Sequence, residues 1–158
     1  MNKLLRILKH RWLDERDARR LIGVDVLERL EARVAASEKA HSGEIRVCVE
    51  AGLPLSYLWK NLSARDRAIT MFGKLRVWDT EANNGVLIYL LLAEHAIEIV
   101  ADRGLARRVP AERWQAIVAG MREQFRAGQY EAGLGAAIDA VDALLTQHFP
   151  LADGAIDT

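Results

Sequence analysis

The sequence has little of what usually anchors a functional reading. One cysteine, Cys48, occurs in 158 residues. A disulfide framework or a Cys-based zinc site within one chain is therefore excluded, and a reducing, cytoplasmic compartment is expected. Neither an internal repeat nor a low-complexity tract is visible. Net charge is zero, 22 basic against 22 acidic side chains. That balance excludes a surface built wholly for nucleic acid, and no nucleic-acid partner is expected. Long apolar runs are missing too. The longest, residues 86–93, falls far short of the roughly 20 residues a membrane helix needs. Leu4, Leu5, Ile7 and Leu8 are interrupted by Arg6 and Lys9, so no secretory leader is formed.

What is present is apolar mass and an uneven charge distribution. About half the residues are apolar, enough for one domain with its own core. Residues 1–20 carry seven Lys/Arg against three Asp/Glu, so the remainder is acidic by the same margin. The chain divides into a basic amphipathic helix and connector at 1–24, a domain at 25–150 and a flexible tail at 151–158. Leu4, Leu5, Leu8 and Trp12 share one face of the first segment. Two readings follow. The helix covers its own domain, with Trp12 and Leu13 continuing the apolar face, or residues 1–13 lie on a partner or an anionic membrane through Lys3, Arg6, Lys9 and Arg11. The second places the protein at the inner face of the membrane.

Periodicity supplies the elements. Asp25 is a candidate N-cap for a helix to about Ala40, with Leu27, Leu30 and Val34 inward. Residues 44–50 alternate, Ile45, Val47 and Val49 against Glu44, Arg46 and Cys48, as a half-buried strand does. Gly52 and Pro54 mark a loop. Ser63 with Asp66 three residues on starts a second helix. A polar loop, 78–85, leads to Val86–Leu92, apolar on both faces and in need of cover above and below. Glu94 and His95 reverse the chain into an antiparallel strand, 96–100. Pro110 opens a helix carrying Trp114, Ile117, Val118, Met121 and Phe125, Gly128 ends it, and a last helix runs to Pro150. Trp78 and Trp114 are read as core, and Cys48 as a packed thiol. The expected fold is an α/β protein, a three-layer α/β/α sandwich around a small mixed sheet.

Four stretches resemble one family in order and spacing. His41-Ser42-Gly43-Glu44-Ile45-Arg46-Val47 resembles the first-strand motif of the TPM domain family. Asn83-Asn84-Gly85-Val86-Leu87-Ile88 resembles its second-strand signature, usually Asp-Asn-Gly. Residues 97–105, with Asp102-Arg103-Gly104, resemble the third strand and its turn, and Phe125-Arg126-Ala127-Gly128-Gln129-Tyr130 the closing segment. The resemblance implies the α/β sandwich fold. The family includes thylakoid lumen proteins linked to photosystem II repair, a worm acetylcholine-receptor accessory protein and many bacterial proteins, some beside LemA-type membrane proteins. It also implies acid phosphatase activity or divalent-metal binding in some members. The sequence departs from many relatives in showing neither a signal peptide nor a C-terminal membrane helix. Asn83 stands where the usual signature has Asp, which keeps an oxygen donor and loses a charge.

Topology predicts one constellation. The loop before Val86 and the turn after Ala101 share an end of the sheet, and a parallel 44–50 strand would bring His41 and Glu44 there. Glu38, His41, Glu44, Asp79, Glu81, Asn83, Asn84, Asp102 and Arg103 would then ring one rim. Glu44, Asp79, Glu81, Asn83, Asn84 and Asp102 offer carboxylate and amide oxygens, which suit Ca²⁺ or Mg²⁺ better than zinc. The expected function is a non-enzymatic accessory or interaction domain with a protein partner, one embedded in the membrane among the options. The alternative is a metal-dependent phosphohydrolase with Asp79 or Asp102 as nucleophile or base and Arg103 as phosphoryl clamp. No Cys-x5-Arg, Asp-x-Asp or P-loop motif supports that chemistry. A plainer reading makes Asn83-Asn84-Gly85 a turn and Asp102 a helix cap, with His41 a hydrogen-bonder at a helix end.

Overall fold

Seven consecutive buried residues, Gly85–Leu91, set the architecture. A strand apolar on both faces needs cover on both. A computed structural model describes residues 3–12 and 22–151, without the side chains of Lys9, Arg11 and Trp12. The readings for residues 13–21 and 152–158, and the contacts expected of Lys9, Arg11 and Trp12, lie outside the described residues. The elements run α1 (Lys3–Trp12), α2 (Val24–Ser37), β1 (Glu44–Glu50), α3 (Leu55–Trp59), α4 (Ala64–Lys74), β2 (Gly85–Leu91), a 3₁₀ turn (Leu92–Glu94), β3 (Ala96–Ala101), α5 (Arg103–Ala106), α6 (Ala111–Arg126) and α7 (Tyr130–His148).

The sheet has the order β1-β2-β3. β1 runs parallel to β2 with Glu44 opposite Gly85, and β2 antiparallel to β3 with Val86 opposite Ala101. Side-chain alternation then sorts the core into two layers. On one face Ile45, Val86, Ile88, Leu90, Ile97 and Ile99 meet Leu30 of α2, Met121 of α6, and Leu134, Ile138 and Val141 of α7. On the other, Leu87, Tyr89 and Leu91 meet Leu58 of α3, Ala68 of α4 and Ile7 of α1. This is the three-layer α/β/α sandwich that the sequence predicts. Each fully buried Leu or Ile contributes roughly 1.5–3 kcal/mol relative to exposure, so β2 is where the sandwich is fastened.

Among the described residues both outer strands are sheet edges. Asp102 N donates to Gly85 O at 2.9 Å, which fixes the hydrogen-bonded positions of the β2–β3 ladder. By alternation Ile99, opposite Ile88, turns its carbonyl outward. Arg65 of α4 covers it, Nη1 donating to Ile99 O at 2.6 Å.

Local signals explain most boundaries. Ser63 and Asp66 form a reciprocal capping box at the start of α4, as their spacing predicts. Four expectations are corrected. Asp25 lies in the first turn of α2, and the cap is Gly23 at φ 97°, a conformation costly for any residue with a Cβ. α2 ends at Ser37, short of Ala40. The loop at Gly52 and Pro54 is followed by a short helix, α3, entered through Pro54 at φ −57°, the angle proline presets. Five residues are too few for a helical period to show. Trp78 is not core: it is 47 % exposed, its indole donating to Gly73 O and its ring lying under Arg76. Trp114 does pack against the first layer.

Candidate functional site

The rim at the start of β1 and β2 assembles as topology predicts. Parallel pairing of β1 with β2 sets Glu44 beside Gly85, and the antiparallel return brings Asp102 back to Gly85. The backbone there is crowded. A Cβ on Gly85 would meet Val77 O at 2.0 Å, and one on Gly104 would meet Ala82 O at 2.3 Å. The glycines of both motifs are required by that close approach. Asn83 is left-handed at φ 53°, which Asn tolerates better than most residues. Its carbonyl accepts from Gly104 N at 2.8 Å.

The predicted residues divide into two groups. Asp102 caps α5, Oδ1 accepting from Arg103 N at 2.8 Å, and Arg103 is exposed on that first turn. This is the plainer role foreseen for Asp102. Toward β1 stand Glu38, Glu44 and Asp79. Glu38 Oε1 accepts from Ile45 N at 3.3 Å. Asp79 pairs with Arg76 at 3.0 Å, and Glu44 with Arg46 at 3.6 Å. Partial burial, reinforced by the charges of Glu38 and Asp79 and opposed by Arg46, pushes the Glu44 carboxyl above its ordinary range. Glu81 is exposed on the loop. Among the described residues no three His, Cys, Asp or Glu side chains converge on one point that could hold a metal ion.

Beneath the rim lies Asn84, fully buried. Its backbone N donates to Thr80 Oγ1 at 3.0 Å and its Nδ2 to Ser42 Oγ at 3.1 Å. Its Oδ1 has no hydrogen-bond partner. An amide oxygen taken out of water without a partner costs about 1–3 kcal/mol. His41 is also buried. Its Nδ1 accepts from Gly43 N at 3.1 Å, and its Nε2 stands 3.3 Å from Asp142 Oδ1 without hydrogen-bond alignment. Burial, outweighing Asp142 and Glu38, holds the imidazole below its ordinary pKa; it is a hydrogen-bonder, as the sequence suggests, but in the turn before β1 and not at a helix end.

Sequence reasoning missed a second buried polar group. At the other end of β1, Glu50 accepts from Arg67 Nε at 2.8 Å and Nη2 at 2.9 Å, and from the Tyr89 hydroxyl at 2.8 Å. Arg67 also lies over the Tyr57 ring. Burial and the Glu50 carboxylate push the Tyr89 hydroxyl far above its ordinary value, and the hydrogen bond to Glu50 keeps Arg67 firmly protonated. A tyrosine inside an otherwise aliphatic strand was the available signal, because a buried phenol needs a partner.

The comparisons with known proteins agree with this geometry. The family model described as TPM domain matches residues 16–144. The chain belongs to the TPM domain family. This TPM domain is similar to the NMR structure of the BA42 protein from the psychrophilic bacterium Bizionia argentinensis, at 28% identity and TM-score 0.72, over 84% of this chain and 87% of that one. It also shares its fold with the N-terminal domain of a protein from P. gingivalis, at 21% identity and TM-score 0.63, covering 82% and 81% of the two chains. No curated protein matches. Among the described residues of this TPM domain, no helix is long and apolar enough to cross a membrane.

Proposed function

We propose that this TPM domain is a non-catalytic accessory domain that binds a divalent cation, Ca²⁺ or Mg²⁺, at the β1–β2 rim and serves a membrane-associated protein assembly from the cytoplasmic side. The observation that carries the cation reading is the buried, unpartnered Oδ1 of Asn84. An acceptor without a donor is what a bound cation satisfies and what an unliganded fold gains nothing by keeping. The rim also carries hard donors. Glu44 and Asp79 supply carboxylates, and Glu38 adds negative charge that Arg46 and Arg76 only partly offset. Amide and carboxylate oxygens suit Ca²⁺ and Mg²⁺. Backbone carbonyls and water complete such shells, so the absence of a three-carboxylate cluster is compatible with Ca²⁺. Asn83 and Asp102 contribute by shape, holding the turn and the start of α5.

The phosphohydrolase alternative asks more of the same residues. It needs an in-line nucleophile from Asp79 or Asp102, and these are engaged by Arg76 and by the α5 cap.

Calorimetric titration with Ca²⁺ and Mg²⁺ tests the proposal. Wild type should bind one ion, and Glu44→Gln, a half-exposed side chain, should weaken it by about tenfold or more. Absence of binding, or equal affinity in the variant, overturns the cation reading. Turnover of a phosphate ester that depends on metal and disappears in Asp102→Asn would replace the accessory reading with the enzymatic one.

A further inference from the structure

Among its described side chains, α1 is fastened to the domain through one face. Ile7 packs into the second core layer. His10 is buried, its Nδ1 accepting from Leu53 N at 2.8 Å. Arg6 is paired with Glu94. The seat is tight, since a Cβ on Gly52 would meet His10 O at 2.6 Å. The helix does cover its own domain, the first of the two readings made from sequence, but through a different face: the buried side chains are Ile7 and His10, and the leucines are not among them.

With that face fixed, Leu4, Leu5 and Leu8 point to solvent, 64, 56 and 47 % exposed. The helix α3 packs beside α1 and adds Leu55 and Trp59, 49 and 67 % exposed. Eight large hydrophobic side chains are exposed among the described residues, and these are five of them. Singly exposed leucines need no explanation, but a group on two adjoining helices does. The charge carried by α1 itself has one sign. The segment KLLRILKHRW contains no acid. Glu94 neutralises Arg6, while Lys3 lies 5.1 Å over the Trp59 ring.

We propose that this two-helix face docks on an anionic lipid surface, with α1 and α3 in the plane of the interface. Exposed leucines together with an indole and a lysine are what an interfacial helix presents to anionic headgroups. The face also has a position that suits the rim proposal without depending on it. Glu94 and Leu53 lie just beyond the C-terminal ends of β2 and β1, and the rim lies at their starts. A seven-residue strand spans roughly 23 Å, so lipid docking leaves the rim in water.

Co-sedimentation of the full chain with vesicles decides the matter, comparing phosphatidylcholine mixed with phosphatidylglycerol against phosphatidylcholine alone. Wild type should sediment with the anionic vesicles and far less with the neutral ones, and added salt should weaken the binding. The double variant Leu4→Gln, Leu8→Gln should lose about tenfold or more in partitioning, and Trp59→Gln and Lys3→Glu should each weaken it. These side chains face outward, so thermal midpoints should stay within a few degrees of wild type. Wild type left in the supernatant with both vesicle types overturns the proposal. So does unchanged partitioning of the double variant, or a dimer in sedimentation velocity that these substitutions break in the absence of vesicle binding.

Discussion

The two ends of β1 treat a buried polar group in opposite ways. At the far end, the Glu50 carboxylate accepts three hydrogen bonds, two from Arg67 and one from Tyr89. At the rim, Asn84 is more deeply enclosed and donates through Nδ2, yet its Oδ1 is left alone. The desolvation of the two groups is comparable in kind; the protein's own answer to it is not. A closed network fixes how α4 sits on the sheet. An open acceptor leaves a desolvation cost that the protein's own groups do not offset.

The largest expected effect is at the closed end. Glu50→Ala leaves Arg67 charged and buried, and should destabilise the domain by about 3–5 kcal/mol, read from urea unfolding. A loss below about 1 kcal/mol would mean that the network is no more than a surface pair and would dissolve the contrast. Next comes the backbone of the rim. Gly85→Ala drives a methyl into Val77 O and should cost about 1–3 kcal/mol, with the loss concentrated in hydrogen exchange of residues 77–85. Smaller still is Asn84→Leu. Removing an unpaired acceptor along with its amide should change metal-free stability by no more than about 1 kcal/mol, while abolishing the rise in thermal midpoint that the proposed Ca²⁺ binding would give wild type. If Asn84→Leu is as damaging as Glu50→Ala, the two ends are alike and the rim is structural. The smallest effect is on pH dependence. The folded His41 pKa lies below its unfolded value of about 6.5. Its contribution is therefore complete above that value and is lost as pH falls from there toward the folded pKa. His41→Gln should flatten the slope of stability against pH in that window, measured by denaturation at several pH values.

Much of the sandwich was legible because it rests on short-range pattern. Alternation gave β1, double-faced apolarity gave β2, and Ser63 with Asp66 gave the start of α4. The rim followed from strand direction alone. What was illegible depends on partners distant in sequence. Glu50 meets Arg67 and Tyr89 across 17 and 39 positions, and no local spacing encodes that. The face of α1 was read from its leucines, but His10 and Ile7 had better partners in Leu53 and the second core layer. Asp25 looked like a cap because its side chain is a good one, and the backbone at Gly23 took the role instead. The lone Oδ1 of Asn84 depends on packing against Ser42, which sequence does not reveal.

One modest contact bears on how the protein behaves in a crowded cell. A three-stranded sheet offers an unpaired ladder on each flank, and β3 presents only a few outward carbonyls. Arg65 holds the one at Ile99. A foreign strand would have to expel that guanidinium before it could extend the sheet along β3. Arg65 thus blocks part of that edge against strand addition.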